Sequence, residues 1–415
     1  MIMNTYQLDK GENYDSDGQI LKNFIAENCY YANLIVIEDN DVPTITNMSS
    51  LFESTSSDGG ALDDSTDNLK EINFVNFNTS KVTDTSRMFV SRPNLTTIPN
   101  FNTSKVTNMS YMFCNCPNLT IIPNYNTAKV SDASGAFSRC NNLTTIPNFN
   151  FNNITNMAQM FSYCINITNI SNFIIPNALN MHNTFSNCFN LVTVSNLDVP
   201  NVVDMSRTFN NCAKLSSISQ INTKNVTNTT RMFEKCSNLI TVPNFNTTNV
   251  TTIYEMFNCC NNLTTLPNFD LSNVTNMTNT FFNCFSLTTV PNFNTINVTS
   301  MAYTFWNCYR LVNAPLINTA NVTNMLDTFA FCYNLVNMPE LNTSKVTIMT
   351  RMFDSCNNLS SASIQNIINM CLNSNIVSYK ILNVDNVYSP LYRTKFNNSY
   401  YSDRLSELTA AGWTY

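Results

Sequence analysis

Phenylalanine recurs at every twenty-fourth position through most of the chain, and this period limits what the chain can fold into. Twelve phenylalanines follow one another at this spacing with no insertion or deletion: Phe89, Phe113, Phe137, Phe161, Phe185, Phe209, Phe233, Phe257, Phe281, Phe305, Phe329 and Phe353. A copy this short cannot bury its own apolar face, so the copies must stack on one another. The strict spacing therefore predicts a single repeat solenoid rather than two or three globular domains.

Each copy has a regular internal pattern, with positions counted from this repeat phenylalanine. Position −7 is mostly Val, position −4 is often Met, position +3 is Cys in eleven of the twelve copies, and position +6 is Leu or Ile. Positions −7, −4, 0 and +3 share one face of a helical segment, and the β-branched residues that follow indicate a strand. The pattern predicts a short helical or 3-10 segment and a strand in each copy, with the strands forming a parallel β ladder of about 12–13 rungs.

The cysteine column at position +3 runs from Cys116 to Cys356, with Arg92 in the first copy. Equivalent side chains in a stack point in the same direction, which does not suit disulfide pairing or tetrahedral metal binding. We expect these cysteines to be small, buried, apolar residues.

The composition excludes several classes of function. His182 is the only histidine and there are six glycines, so neither a histidine-rich metal site nor a glycine-rich phosphate loop is available. The net charge of −6 gives no reason to expect nucleic-acid binding. We expect no enzymatic activity, no catalytic residues, no cofactor and no metal. No apolar run is as long as a membrane-spanning helix requires, so we expect no membrane insertion. No signal peptide is apparent.

The ends of the chain depart from the period. Residues 1–44 are expected to form an N-terminal cap, residues 45–363 the solenoid with an acidic insert at 54–67, and residues 364–415 a C-terminal cap. The C-terminal cap is expected to contain a helix near 364–372 and a second helix that begins at Ser402 and stops at Gly412. Caps are needed because the open end of a solenoid exposes its core.

The repeat resembles the BspA-like leucine-rich repeat family. The resemblance rests on FNTSKVTNMSYMFCNCPNLTIIPN at 101–124 and FNTTNVTTIYEMFNCCNNLTTLPN at 245–268, and it covers about residues 68–363. It implies a leucine-rich-repeat-like solenoid and a surface protein that binds host proteins or mediates adhesion.

Copies that break the polar pattern are candidates for ligand binding. Position +4 is small or polar in most copies, but three consecutive copies carry an aromatic residue there, and further aromatic residues lie nearby. Pairs of threonine after the leucine column offer a flat, neutral surface of hydroxyl groups for a protein or glycan. The candidate ligand-binding residues are Phe282, Phe285, Tyr303, Trp306, Tyr309, Phe331, Tyr333, Thr264, Thr265, Thr288 and Thr289. Aromatic side chains are favoured at protein and sugar contacts. The alternatives are mutual packing of the rings and ordinary strand-surface threonine.

Two functions remain open at this point. The first is a non-enzymatic recognition or adhesion protein that binds a protein or glycan at a cell surface through one solenoid face. The second is a structural or receptor-binding, tail-associated component of a phage virion. The corresponding partners are a protein or glycan ligand, with a second copy of the chain or a virion protein as alternatives. The location is accordingly the cell surface, the extracellular space or a virion.

Overall fold

The computed structural model describes residues 21, 22, 25, 34–38, 45–54, 68–75, 77–376 and 402–413. It contains two compact units, Met1–Val202 and Val203–Tyr415. Most of the acidic insert and part of both expected caps lie outside the described residues.

In both units, the segment expected to be helical is a ladder of turns, so the prediction of a helical or 3-10 segment in each copy is wrong. Within one copy, the N–H of Met112 donates to the carbonyl of Met109 over 3.2 Å, which closes a single turn. The N–H groups of alternate residues instead donate to the neighbouring copy. Those of Tyr111 and Phe113 reach the carbonyls of Ser134 and Ala136 over 2.7 and 2.8 Å. We call positions −5 to +3 of each copy the turn ladder.

Positive φ angles explain why no helix forms. In all twelve copies, the residues at −2 and +2 have φ between 52° and 63°, as for Tyr111 and Asn115. A right-handed helix requires negative φ at every residue, so these two positions interrupt it. The backbone turns at each of these two positions, and the N–H groups of alternate residues point to the next copy. Isolated parallel bridges between equivalent residues of adjacent copies, such as Asn108 with Asp132, mark the start of the turn ladder.

The core of each unit is a column of phenylalanine rings. In the first unit, Phe52 and the repeat phenylalanines to Phe185 stack with ring centroids 5.4–5.6 Å apart. In the second unit, the rings from Phe209 to Phe353 stack at 5.1–5.8 Å. Phe52 joins its column although its distance from Phe89 along the chain is longer than one repeat. The interruption of the period along the chain therefore does not interrupt this column of rings.

The cysteine column is buried and unpaired, as the pattern predicts. Every cysteine at position +3 is 0% exposed, and the described cysteines are free thiols. The thiol is also a hydrogen-bond donor: Sγ of Cys116 donates to the carbonyl of Phe89 over 3.0 Å, and Sγ of Cys332 to that of Phe305 over 3.1 Å. Arg92, which replaces cysteine in the first copy, donates through Nε to the carbonyl of Phe52. Both residue types at this position therefore donate a hydrogen bond to the carbonyl of the repeat phenylalanine, or of Phe52, in the preceding copy.

Regular strands are fewer than the pattern predicts. In the first unit, β1 (Leu34–Glu38) pairs in parallel with β2 (Glu71–Val75), and β3 (Asn169–Ile174) pairs in parallel with β4 (Thr193–Asp198). The second unit contains the short strand β5 (Ser217–Ile218).

The residue at position +10 accounts for the placement of β3, β4 and β5. These strands occur in three consecutive copies with serine at +10: Ser171, Ser195 and Ser219. The copies of Phe89, Phe113 and Phe137 have proline at this position, and so do the five copies from Phe233 to Phe329. Proline has no N–H for a ladder, and its carbonyl accepts from the residue two places on, as when Phe149 donates to Pro147 over 2.9 Å.

Two helices close the C-terminal part of the second unit, close to where the sequence predicts them. Helix α1 (Ser361–Asn373) begins after Ser360, whose side chain accepts from the N–H of Ser363. Helix α2 (Ser402–Ala410) packs against α1. It ends at Ala410; two residues later, Gly412 has a φ of 83°, and the N–H of Trp413 donates to the carbonyl of Leu408. This is the glycine stop expected of a helix C-terminus. In the described parts of the chain, no helix combines the length and apolarity needed to cross a bilayer.

Candidate aromatic binding site

Seven of the candidate residues form one contiguous cluster of rings in the second unit, partly on the turn ladder and partly at position +4, directly after it. We call Phe282, Phe285, Tyr303, Trp306, Tyr309, Phe331 and Tyr333 the aromatic cluster. The copies are in register, so a ring at one position lies beside the ring at the same position of the next copy. The structure thus brings together all the aromatic residues that the sequence singles out.

Two rows of rings run through the aromatic cluster. In the first, Phe282 stacks on Trp306 with centroids 4.3 Å apart and planes 5° apart, and Trp306 contacts Phe331 edge-on at 5.1 Å. In the second, Phe285 stacks on Tyr309 at 5.0 Å, and Tyr309 lies 5.3 Å from Tyr333. These are favourable ring geometries. The rings therefore hold one another in fixed positions.

The aromatic cluster remains accessible despite this packing. Tyr309 is 37% exposed, and the other six rings are half-buried. Burial raises the pKa of Tyr333. The rings do pack on one another, as the alternative expectation states. This packing does not account for the surface that stays exposed.

An ion pair lies beside the aromatic cluster. The side chain of Asp327 is only 1% exposed, and it accepts a hydrogen bond from Arg351 over 2.8 Å and one from Tyr303. Burial raises the pKa of Asp327, although the charge of Arg351 acts in the opposite direction. Arg351 is itself half exposed. The sequence signal that could have indicated this pair is the occurrence of opposite charges at position −2 of adjacent copies.

The four candidate threonines form a separate patch on the same unit. Oγ1 of Thr264 donates to the carbonyl of Ile240 over 3.3 Å, and Oγ1 of Thr288 to that of Thr264 over 3.2 Å. Thr265 and Thr289 are exposed. In the described part of this unit, no hydrogen bond joins these threonines to the aromatic cluster. Two of the four hydroxyls therefore serve the repeat itself, and the aromatic cluster is the better candidate.

The described residues offer no metal centre, because they contain no group of three or more His, Cys, Asp or Glu side chains placed to hold an ion. The buried thiols are poor nucleophiles in this setting. Burial raises the pKa of Cys188 and of Cys332 to about 12, so these thiols stay protonated near neutral pH.

Comparison with solved structures finds leucine-rich repeat proteins at low similarity. A leucine-rich repeat protein from Eubacterium ventriosum is 18% identical, with a TM-score of 0.35, over 69% of this chain and 81% of that one. An internalin from Listeria monocytogenes is 13% identical, with a TM-score of 0.26, over 71% and 79%. A chain of the Drosophila Toll–Spätzle complex is 14% identical, with a TM-score of 0.28, over 79% and 49%. None of the curated proteins matches the chain.

Comparison with protein families finds four overlapping matches to one family. They cover residues 59–173, 164–264, 238–338 and 315–412, as expected of a protein built from tandem repeats. Together they span most of the chain, and the protein therefore belongs to the family described as Mycoplasma protein of unknown function, DUF285.

Proposed function

We propose that the protein is a non-enzymatic recognition module that binds a protein ligand through the aromatic cluster. The observation that carries this proposal is the pair of stacked ring rows that stay half exposed on a regular repeat surface. Tyr, Trp and Phe are enriched at the buried centres of protein interfaces. Rings that are already fixed by stacking lose little conformational freedom on binding.

The ion pair beside the aromatic cluster supports a protein partner rather than a purely apolar one. Arg351 is held at Asp327 yet remains half exposed, so its guanidinium can donate to a carboxylate or carbonyl at the rim of an interface. An apolar centre with a polar rim is the usual arrangement of protein interfaces.

The resemblance to the BspA-like leucine-rich repeat family supports adhesion at a cell surface as the setting. A tail-associated virion component is the alternative. Size-exclusion chromatography with light scattering helps to separate the two, because fibre proteins are commonly trimers. A monomer favours the surface recognition module.

The test compares the wild type with W306S/Y309S on an array of purified cell-surface and extracellular proteins. We expect at least one protein to bind the wild type and to lose affinity at least tenfold with the variant. The control is F189S, which removes a ring at the same position of an earlier copy; Phe189 is 38% exposed. Thermal unfolding checks that all three proteins are folded. Equal binding by the three, or no binding by the wild type, would contradict the proposal.

Tryptophan fluorescence gives a direct readout of the site. The chain has two tryptophans: Trp413 is 3% exposed, whereas Trp306 lies half-buried in the aromatic cluster. Ligand binding should shift the emission of the wild type and of W413F but not of W306F. A shift that persists in W306F would place the binding elsewhere.

A further inference from the structure

A groove in the first unit lies apart from the aromatic cluster. It has a volume of about 390 Å³ and runs between residues 145–152 of one copy and β3 of the next. Its lining consists of Asn, Ser, Thr, Phe, Ile and Pro, with no charged side chain.

The groove lies between a copy with proline at position +10, Pro147, and the next copy, which has serine there, Ser171. On one wall, the N–H of Phe149 donates to the carbonyl of Pro147, so this backbone folds into a tight turn. On the other wall, β3 is the edge strand of its sheet and pairs with β4 on its far side. Because Pro147 has no N–H to offer, a regular ladder cannot continue from β3 to the earlier copy. The change from Pro147 to Ser171 therefore opens a space between two copies.

The rim of this groove carries neutral polar groups on both walls. Asn148, Asn150 and Asn152 are exposed on one side, and Asn169 and Ser171 on the other. Each amide offers both a donor and an acceptor. The side chains of Asn148 and Ser171 make no hydrogen bond to the described residues. They are thus free to bind a ligand without disturbing the repeat.

The floor of the groove is aromatic. Phe151 and Phe173 meet edge-on with centroids 4.9 Å apart, and Phe149 lies beside Phe151 at 6.1 Å. The three rings are 3–9% exposed, so they present narrow apolar strips rather than open faces. The floor can contact C–H groups of a ligand whose polar groups meet the rim.

We propose that this groove binds a short, neutral saccharide. A charged ligand would find no opposite charge, and an apolar ligand would leave the rim amides without partners. A sugar has hydroxyl groups that donate and accept, together with C–H surface for the floor. The volume lies within the range of small-ligand sites, roughly 300–1,000 Å³. An extended peptide could also pair with the edge of β3. However, such pairing would use the strand backbone and would leave the amides of the opposite wall unused.

The test uses the full chain and three neutral trisaccharides: maltotriose, cellotriose and triacetylchitotriose. Saturation-transfer NMR and titration calorimetry measure their binding. We expect at least one to bind with a Kd below about 1 mM. N148A/S171A should weaken that binding at least tenfold, because it removes one polar group from each wall. The matched control is N124A/N268A, which removes exposed amides at the same repeat position as Asn148 but outside the groove.

Several outcomes would overturn the proposal. One is that none of the three sugars binds, and another is that N148A/S171A binds as well as the wild type. Tighter binding of 3′-sialyllactose than of the three neutral sugars would show that the groove prefers an anionic saccharide. Binding of a blocked pentapeptide of alternating threonine and valine, without binding of the sugars, would assign the groove to an extended peptide. W306S/Y309S should retain sugar binding, which separates this test from that of the aromatic cluster.

Discussion

At position −2 of each copy, the backbone has a positive φ, and the space left by the neighbouring copy limits the side chain. Eleven copies place a residue with a side chain there, and one places Gly135, with φ of 60°. The reason for this glycine is local. A Cβ atom at Gly135 would lie 2.4 Å from ring atoms of Tyr111, the residue at −2 of the preceding copy. Tyr111 therefore occupies the space that a side chain would need.

We predict that Gly135→Ala destabilises the protein by about 2–3 kcal/mol. A left-handed alanine costs about 1 kcal/mol, and the overpacking against Tyr111 supplies the rest. In a Tyr111→Ala background, only the backbone cost of about 1 kcal/mol should remain. Urea unfolding of the four proteins gives a double-mutant cycle, with an expected coupling of about 1–2 kcal/mol. An equal cost of Gly135→Ala in both backgrounds would show that the ring contact is unimportant.

At the scale of elements, serine rather than proline at position +10 distinguishes the copies that form β3, β4 and β5, whereas the last copy has Ser363 there, within α1. We predict that Ser195→Pro separates β4 from β3, because proline removes an N–H and fixes φ away from the strand value. The expected cost is about 1–3 kcal/mol. Amide hydrogen exchange should show faster exchange in Asn169–Ile174 and Thr193–Asp198.

The control for this change is Ser80→Pro, at a half-buried turn outside β3 and β4, which should leave exchange in these two strands unchanged. Retained protection of β3 and β4 in Ser195→Pro would mean that side-chain packing, rather than the serine N–H, holds these strands together.

The spacing of apolar residues predicts the stack but not the shape of the backbone within it. Val106, Met109, Phe113 and Cys116 are all buried, as the pattern requires. The helix expected from their spacing fails because Tyr111 and Asn115, which lie between or beside them, adopt positive φ. Tyr, Arg and Gln at these positions carry no recognisable signal for that conformation. It is imposed by hydrogen bonds to the adjacent copy, which spacing within one copy cannot reveal.

Of the two candidate sites, the sequence predicts the aromatic cluster but not the groove. The aromatic cluster could be predicted because a strict period brings equivalent positions of adjacent copies into direct contact, as for Phe285 and Tyr309. The groove could not be predicted from apolar spacing, because it depends on how Pro147 turns the backbone beside β3. The change from proline to serine at +10 was its only signal.

At the scale of the whole molecule, each unit contains a column of protonated thiols whose burial depends on folding. The pKa of Cys188 and of Cys332 is about 12 in the folded protein, against 9.0 for an ordinary thiol. Burial raises the pKa of the other described cysteines at +3 as well, where a shift is resolved. Their contribution to stability is fully present below pH 9. It is lost as the pH rises from about 9 toward 12, because only the unfolded chain then releases these protons.

We predict that the free energy of unfolding falls steeply above pH 9 under reducing conditions, and that each buried thiol contributes to the slope. Between pH 8 and pH 10, one such thiol should account for a loss of about 1.4 kcal/mol, because one pH unit above the unfolded pKa corresponds to about 1.36 kcal/mol. Urea unfolding of Cys332→Ala should therefore show a smaller loss over this interval than the wild type, by about that amount.

Val322→Ala is the matched control, since it truncates a side chain that is equally buried in the same unit but does not titrate. It should lower stability at both pH values and keep the pH dependence of the wild type. The same pH dependence in Cys332→Ala and Val322→Ala would show that the thiol of Cys332 ionises in the folded protein. It would contradict the buried, hydrogen-bonded position of this thiol.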